Sequence, residues 1–117
     1  MAKRFTASDK WEDAWFRRLP PTSKLFWIFI LDRCNCAGFW KIDWELASFC
    51  IGDQITNDIL TTFDGRIETI DERLWVTNFV AFQYGQLNEN CNPHKPVIRE
   101  LAKFGLLQRV EREFLET

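Results

Sequence analysis

The residues DWELASFCIGDQITNDILTTFDGRIETIDERLWVTNFV (43–80) decide how this chain folds. Asp43 is placed to cap a helix over residues 44–51, and Gly52 closes it, because glycine takes the left-handed backbone of a helix stop without a Cβ clash. Asp53-Gln54-Ile55 is a tight connection. Thr56 then caps a second helix, Asn57 to Phe63, whose Ile59, Leu60 and Phe63 form one buried face. Asp64-Gly65 marks a turn. Residues 66–70 and 74–80 read as strands, with Asp71-Glu72-Arg73 as a charged hairpin tip.

Working back from there, Phe39-Trp40-Lys41-Ile42 has the aromatic and β-branched character of a short strand, and Gly38 frees the turn before it. KLFWIFILDR (24–33) carries seven apolar residues in a row. A bilayer span needs about 20, and an amphipathic surface helix is apolar on one face only. The run therefore predicts a central core helix, covered on all sides, capped by Thr22 or Ser23 and ending near Cys34. Before it, Asp9 with Glu12 suggests a capping box for a short helix holding Trp11, Trp15 and Phe16, closed by Leu19-Pro20-Pro21.

Working forward, Phe82-Gln83-Tyr84-Gly85 suggests a single helical turn, and 86–92 a polar loop. A last helix starts between Pro93 and Pro96 and runs to Phe104, burying Val97, Ile98, Leu101 and Phe104, with Gly105 as its stop. Residues 108–117 read equally as a frayed helix, a strand or a tail. Two short helices joined through a glycine and followed by a β-hairpin, with a small third strand beside it, are the order of a winged helix-turn-helix. The expected fold class is α+β, mostly helical: one winged-helix domain over 1–117 with extra N- and C-terminal helices.

At 117 residues, 46% hydrophobic with six Trp and eleven Phe, the chain can bury a core, which argues against disorder. The N-terminus leads into polar sequence rather than an apolar signal region, so a cytoplasmic protein without membrane contact is expected. The net charge of −2 and pI near 5.4 point away from a dedicated nucleic-acid binder unless the cations cluster. Cys34, Cys36, Cys91 and His94 could in principle meet a zinc ion. The C-x-C spacing departs from the usual pairs, so no metal or other cofactor is expected.

In a winged helix the second helix of the pair enters the major groove. Here that presents Thr56, Asn57, Asp58, Thr61 and Thr62, and Asn and Thr can meet base edges. This helix carries no Lys or Arg. Cations lie elsewhere: Lys95, Arg99 and Lys103 form one stripe on the last helix, Arg66 and Arg73 stand at the start and tip of the hairpin, Lys41 on the short strand, and Lys3, Arg4 and Lys10 near the N-terminus. Such residues hold phosphates; equally, the stripe is the polar face of an amphipathic helix. No Gly-rich phosphate loop or metalloprotease motif is present, and the lone His94 is placed as a surface or capping residue, so no enzyme is expected. The tryptophans could stack bases, but their helical and strand spacing assigns them to the core.

Phe5 with Asp9, Trp15-Phe16, the L-P-x-x-x-K-L-x-W run from Leu19 to Trp27, Gly38-Phe39-Trp40-Lys41-Ile42 and Leu46-Ala47-Ser48-Phe49 resemble the N-terminal region of phage replisome-organiser proteins, related to the N-terminal domain of DnaD-like primosome proteins. Asp64-Gly65-Arg66-Ile67, Trp75, Phe79, Phe82-Gln83-Tyr84-Gly85 and Leu87-Asn88 continue the likeness to about Leu107. The resemblance implies a winged-helix domain that acts in phage or prophage DNA replication initiation, binding double-stranded DNA, organising replication proteins, or both. It also implies self-association as a use of the same fold. In larger relatives a second module follows, which is expected here to be missing or to lie elsewhere. The alternative is a protein-interaction module without direct DNA binding.

Overall fold

In the computed structural model, which describes residues 6–116, a small antiparallel sheet is the wall between two apolar cores. Its strands are β1 (Phe39–Lys41), β2 (Ile67–Ile70) and β3 (Arg73–Val76), in the order β1-β3-β2. Alternate residues of a strand point to opposite faces. Trp40, Leu74, Val76 and Ile67 therefore enter one core, while Phe39 and Trp75 enter the other. Both faces are covered, which is why Leu74, Trp75 and Val76 are consecutive and all buried.

The first core is built on α2 (Pro21–Arg33). Phe26, Trp27 and Ile30 are buried, and Phe26 lies 5.8–6.0 Å, ring to ring, from Phe29, Trp40, Trp44 and Phe63. The run was expected to be covered all round, and it is not: Leu25 is 51% exposed and Ile28, Phe29 and Leu31 are half-buried. Neither Thr22 nor Ser23 caps it. Pro20 is the N-cap and Pro21 opens the helix, where a missing N–H costs nothing. The hydroxyl of Thr22 instead donates to Asp53, and Ser23 is buried against Thr62.

The N-terminal part also departs from expectation. Residues Ser8–Glu12 form a 3₁₀ helix, and Asp13, not Asp9, caps α1 (Ala14–Arg17) by accepting the Trp15 N–H. Trp15 and Phe16 are buried, and Trp11 stays exposed with its ring edge-on to Phe16. Phe5 of the family likeness, and Lys3 and Arg4, lie outside the described residues.

α3 (Trp44–Ile51) is capped by Asp43 and stopped by Gly52, as the sequence predicts. The segment Asn57–Phe63 is a 3₁₀ helix, and Thr56 makes no side-chain cap. Thr61 and Thr62 hydroxyls donate to the carbonyls of Asp58 and Ile59, a local competition that disfavours regular α-helix. The hairpin turns on Asp71 and Glu72 alone, and Arg73 already belongs to β3. That strand ends at Val76 rather than Val80. Residues 79–80 begin α4 (Phe79–Tyr84), longer than the single turn expected.

The second core lies under α5 (Lys95–Lys103), preceded by the short 3₁₀ turn Asn92–His94. Val97 and Leu101 are buried, and Ile98 and Phe104 half-buried. Gly105 stops α5, with the Leu106 N–H donating to the Leu101 carbonyl. The ambiguous tail is a helix, α6 (Leu107–Glu116).

One loop ties α2 to the sheet. The Asn35 side-chain oxygen accepts the N–H groups of Ala37 and Phe39, and the Gly38 carbonyl accepts the Val76 N–H. Gly38 sits at φ +93°, where a Cβ would lie 2.8 Å from the Cβ of Phe79.

Candidate nucleic-acid interface

The sheet register places Lys41 of β1 directly opposite Arg73 of β3. Two like charges at facing positions are unfavourable. Their residues share the sheet face of Phe39 and Trp75, towards α5. There the Arg73 guanidinium stands 5.1 Å from the centre of the Phe104 ring, and the Lys103 ammonium 5.5 Å from the same ring. Cation–π contact of this kind holds a charge in place without neutralising it.

Lys41 and Arg73 line an open groove of about 530 Å³ together with Arg33, from the last turn of α2. Asp43 and Glu100 also line it. Each accepts a hydrogen bond from a neutral donor, Asp43 from the Leu46 N–H and Glu100 from the Asn35 amide, and keeps its charge, so the groove holds three cations against two carboxylates. The tip acids Asp71 and Glu72 are exposed. None of Arg33, Lys41, Arg73 or Lys103 forms an ion pair with a described residue. Arg33 escaped the sequence reading because a cation in the last helical turn is ordinary, favoured by the helix dipole alone.

The other predicted residues divide. Lys95 and Arg99 are exposed on the stripe that ends at Lys103. Arg66 belongs to another surface. It begins the hairpin about 13 Å along the strand from Ile70, the partner of Arg73, at 3.3 Å per residue. Its guanidinium lies 3.8 Å from the centre of the Trp15 ring. It faces a pocket of about 400 Å³, floored by aromatic side chains and rimmed by Asp9, Glu12 and Asp13, a rim that repels phosphate. Thr56, Asn57 and Thr61 are exposed, whereas Thr62 turns inward, its Oγ1 accepting from the Ser23 hydroxyl at 3.0 Å while its own proton goes to the Ile59 carbonyl.

Cys34 is buried, Cys36 and Cys91 are half-buried and Cys50 is exposed. Among the described residues no three His, Cys, Asp or Glu side chains come close enough to share a metal ion. His94 serves the loop before α5: its Nδ1 accepts the Asn88 N–H, and its ring packs edge-on against Tyr84. Trp15, Trp27, Trp40 and Trp75 are buried, and the Trp75 indole N–H donates to the Ala37 carbonyl.

On the same sheet face Arg109 of α6 forms a two-pronged ion pair with Glu68 and lies 5.2 Å from the centre of the Trp75 ring. Hydrogen bonds from Arg109 hold the Glu68 carboxyl below its ordinary value; partial burial pushes it up, and attraction to the Arg109 charge lowers it further. A carboxyl lowered in the folded state stabilises above its unfolded pKa, and that contribution fades as pH falls through the folded one. The pair is more than a third exposed. Glu68→Gln should therefore cost less than about 1 kcal/mol at neutral pH. The gap between wild type and variant in urea melts should close below about pH 4. A gap that stays constant with pH would rule the ion pair out as its origin.

No family model, curated protein or solved structure matches the chain. No helix among the described residues is long and apolar enough to cross a membrane.

Proposed function

We propose that the chain is a non-catalytic winged-helix protein that binds double-stranded DNA and acts in phage or prophage replication initiation, in the host cytoplasm. One observation carries this: α3, the Asn57–Phe63 helix and the β2–β3 hairpin follow one another, with β1 joined to the hairpin as a third strand. That order is compatible with the layout of winged helix-turn-helix domains. The family likeness of the sequence supplies the replication role, and the unpaired cations supply the attraction to phosphate.

Anisotropy titrations of labelled duplexes at several salt concentrations test it. Binding should weaken as salt rises, the logarithm of affinity falling by about 0.9 per phosphate contact for each unit in log salt. Absence of binding at low salt, or binding indifferent to salt, would refute the proposal.

The alternative is a self-associating or adaptor module. Phe49 on α3 is 84% exposed, and Leu25 on the adjacent α2 also faces solvent. Apolar side chains of that size at a surface suit a protein partner. A strict monomer in light scattering at high concentration, with no partner recovered in pull-downs, would count against it.

A further inference from the structure

In a winged helix-turn-helix the Asn57–Phe63 segment would be the one to enter the major groove. The Asn57–Phe63 segment has no cation, carries Asp58, and commits Thr62 to the interior. We infer that the phosphodiester backbone docks instead in the groove lined by Arg33, Lys41 and Arg73, and runs on to Lys103, which shares the Phe104 ring with Arg73. This inference rests on the DNA-binding proposal and locates its site.

Cations outnumber carboxylates in the groove, Arg33, Lys41 and Arg73 against Asp43 and Glu100, and Lys103 adds a fourth beside it. The chain has 17 acidic residues against 15 Lys and Arg, so partners were available for every cation. Yet two cations face each other across neighbouring strands, a third shares an aromatic ring with one of them, and a fourth lines the same groove. None is ion-paired among the described residues. Such an arrangement lowers stability in the free protein and is relieved by an anion that bridges the charges. The Phe104 ring fixes two of the cations, so less side-chain freedom is lost on binding.

The anion is best matched by a nucleic-acid backbone. The cations do not converge on a closed pocket that would enclose a small phosphate; Arg33, Lys41 and Arg73 line an open groove and Lys103 stands beside Arg73 at the Phe104 ring. From Lys103 the exposed stripe continues through Arg99 and Lys95, one cation per helical turn, or about every 6 Å. A linear row of cations suits a chain of regularly spaced anions. The buried Phe39 and Trp40 offer no face for base stacking, and no groove cation lies on the segment placed to read base edges. Binding is accordingly directed at phosphate and indifferent to sequence.

The test uses the full chain with two duplexes of unrelated sequence. The triple variant Lys41→Gln, Arg73→Gln, Lys103→Gln is compared with Asn57→Ala, Thr61→Ala. The triple variant should bind both duplexes roughly tenfold or more weakly, and its salt slope should fall by about 2–3. The Asn57, Thr61 variant should bind both within about twofold of wild type, since phosphate contacts carry the affinity. Lys41→Gln alone separates function from structure: it removes a like-charge contact, so it should melt no lower than wild type while binding more weakly. A lower melting temperature for Lys41→Gln would make the cation structural and overturn the assignment. So would duplex binding that survives the triple substitution, or binding that discriminates the two sequences through Asn57 and Thr61; either result leaves the DNA-binding proposal standing. No duplex binding by wild type at low salt removes that proposal and the groove with it.

Discussion

Replacing Phe26 by alanine should destabilise the protein by about 3–5 kcal/mol in a denaturant melt. The ring is fully buried at the point where α2, β1, α3 and the Asn57–Phe63 helix converge. It meets Phe29, Trp40, Trp44 and Phe63, four large aromatic groups from four directions. Groups that rigid cannot collapse into the space a benzyl group leaves, so the loss combines transfer energy with a persistent cavity. Leu25 is the internal control: it precedes Phe26 in the chain but is half exposed, and its truncation should cost less than about 1 kcal/mol. Equal losses at the two positions would show that the apolar run does not pack as described.

The second large effect should come from adding a single methyl group. Gly38→Ala places a Cβ 2.8 Å from the Phe79 Cβ and 3.2 Å from the Val76 carbonyl oxygen. Backbone at φ +93° costs an L-residue about 1–2 kcal/mol, and overpacking adds about 1–3, so a loss of about 2–5 kcal/mol is expected. Gly52→Ala isolates the two contributions. Gly52 has a similar φ of +87° with nothing within 4 Å of its added Cβ, so only the backbone cost applies there. If Gly52→Ala destabilises as much as Gly38→Ala, the close approach to Phe79 is not what requires glycine at 38.

The order of elements was legible where the turn chemistry is strong. Asp43, Gly52 and Gly105 sit where the sequence puts them. What failed has a common cause in ambiguous apolar runs. Residues 74–80 look like one strand because both sheet faces are covered and α4 then buries Phe79 and Val80, so no alternation marks the end. Residues 24–31 look uniformly buried, yet helical rotation turns Leu25 outward. Residues 57–63 have the apolar spacing of a helix, but the threonine hydroxyls bond to nearby carbonyls and the segment winds as 3₁₀.

For the candidate site, residue types were readable and their grouping was not. Lys41, Arg73 and Lys103 were all candidates, but nothing in the sequence states that residue 41 faces residue 73. That follows from a hairpin turn of two residues rather than three, which moves Arg73 from the tip into the strand. Arg66, grouped with Arg73 by its place on the same hairpin, is drawn away by the Trp15 ring.

The wall between the two cores has a thermodynamic consequence. An apolar cluster on each side of one thin sheet leads to the expectation that the two sides open separately, α5 with α6 loosening while α2 and α3 stay packed. The row of cations crosses that division: Arg33 ends the central helix of one cluster, Lys103 ends the main helix of the other, and Arg73 lies between them on the shared strand. A polyanion seated across these three would bind only while both regions are closed. Its binding energy would act as a clasp on the seam, suppressing the separate opening of the C-terminal helices and making the unfolding of the whole chain more cooperative.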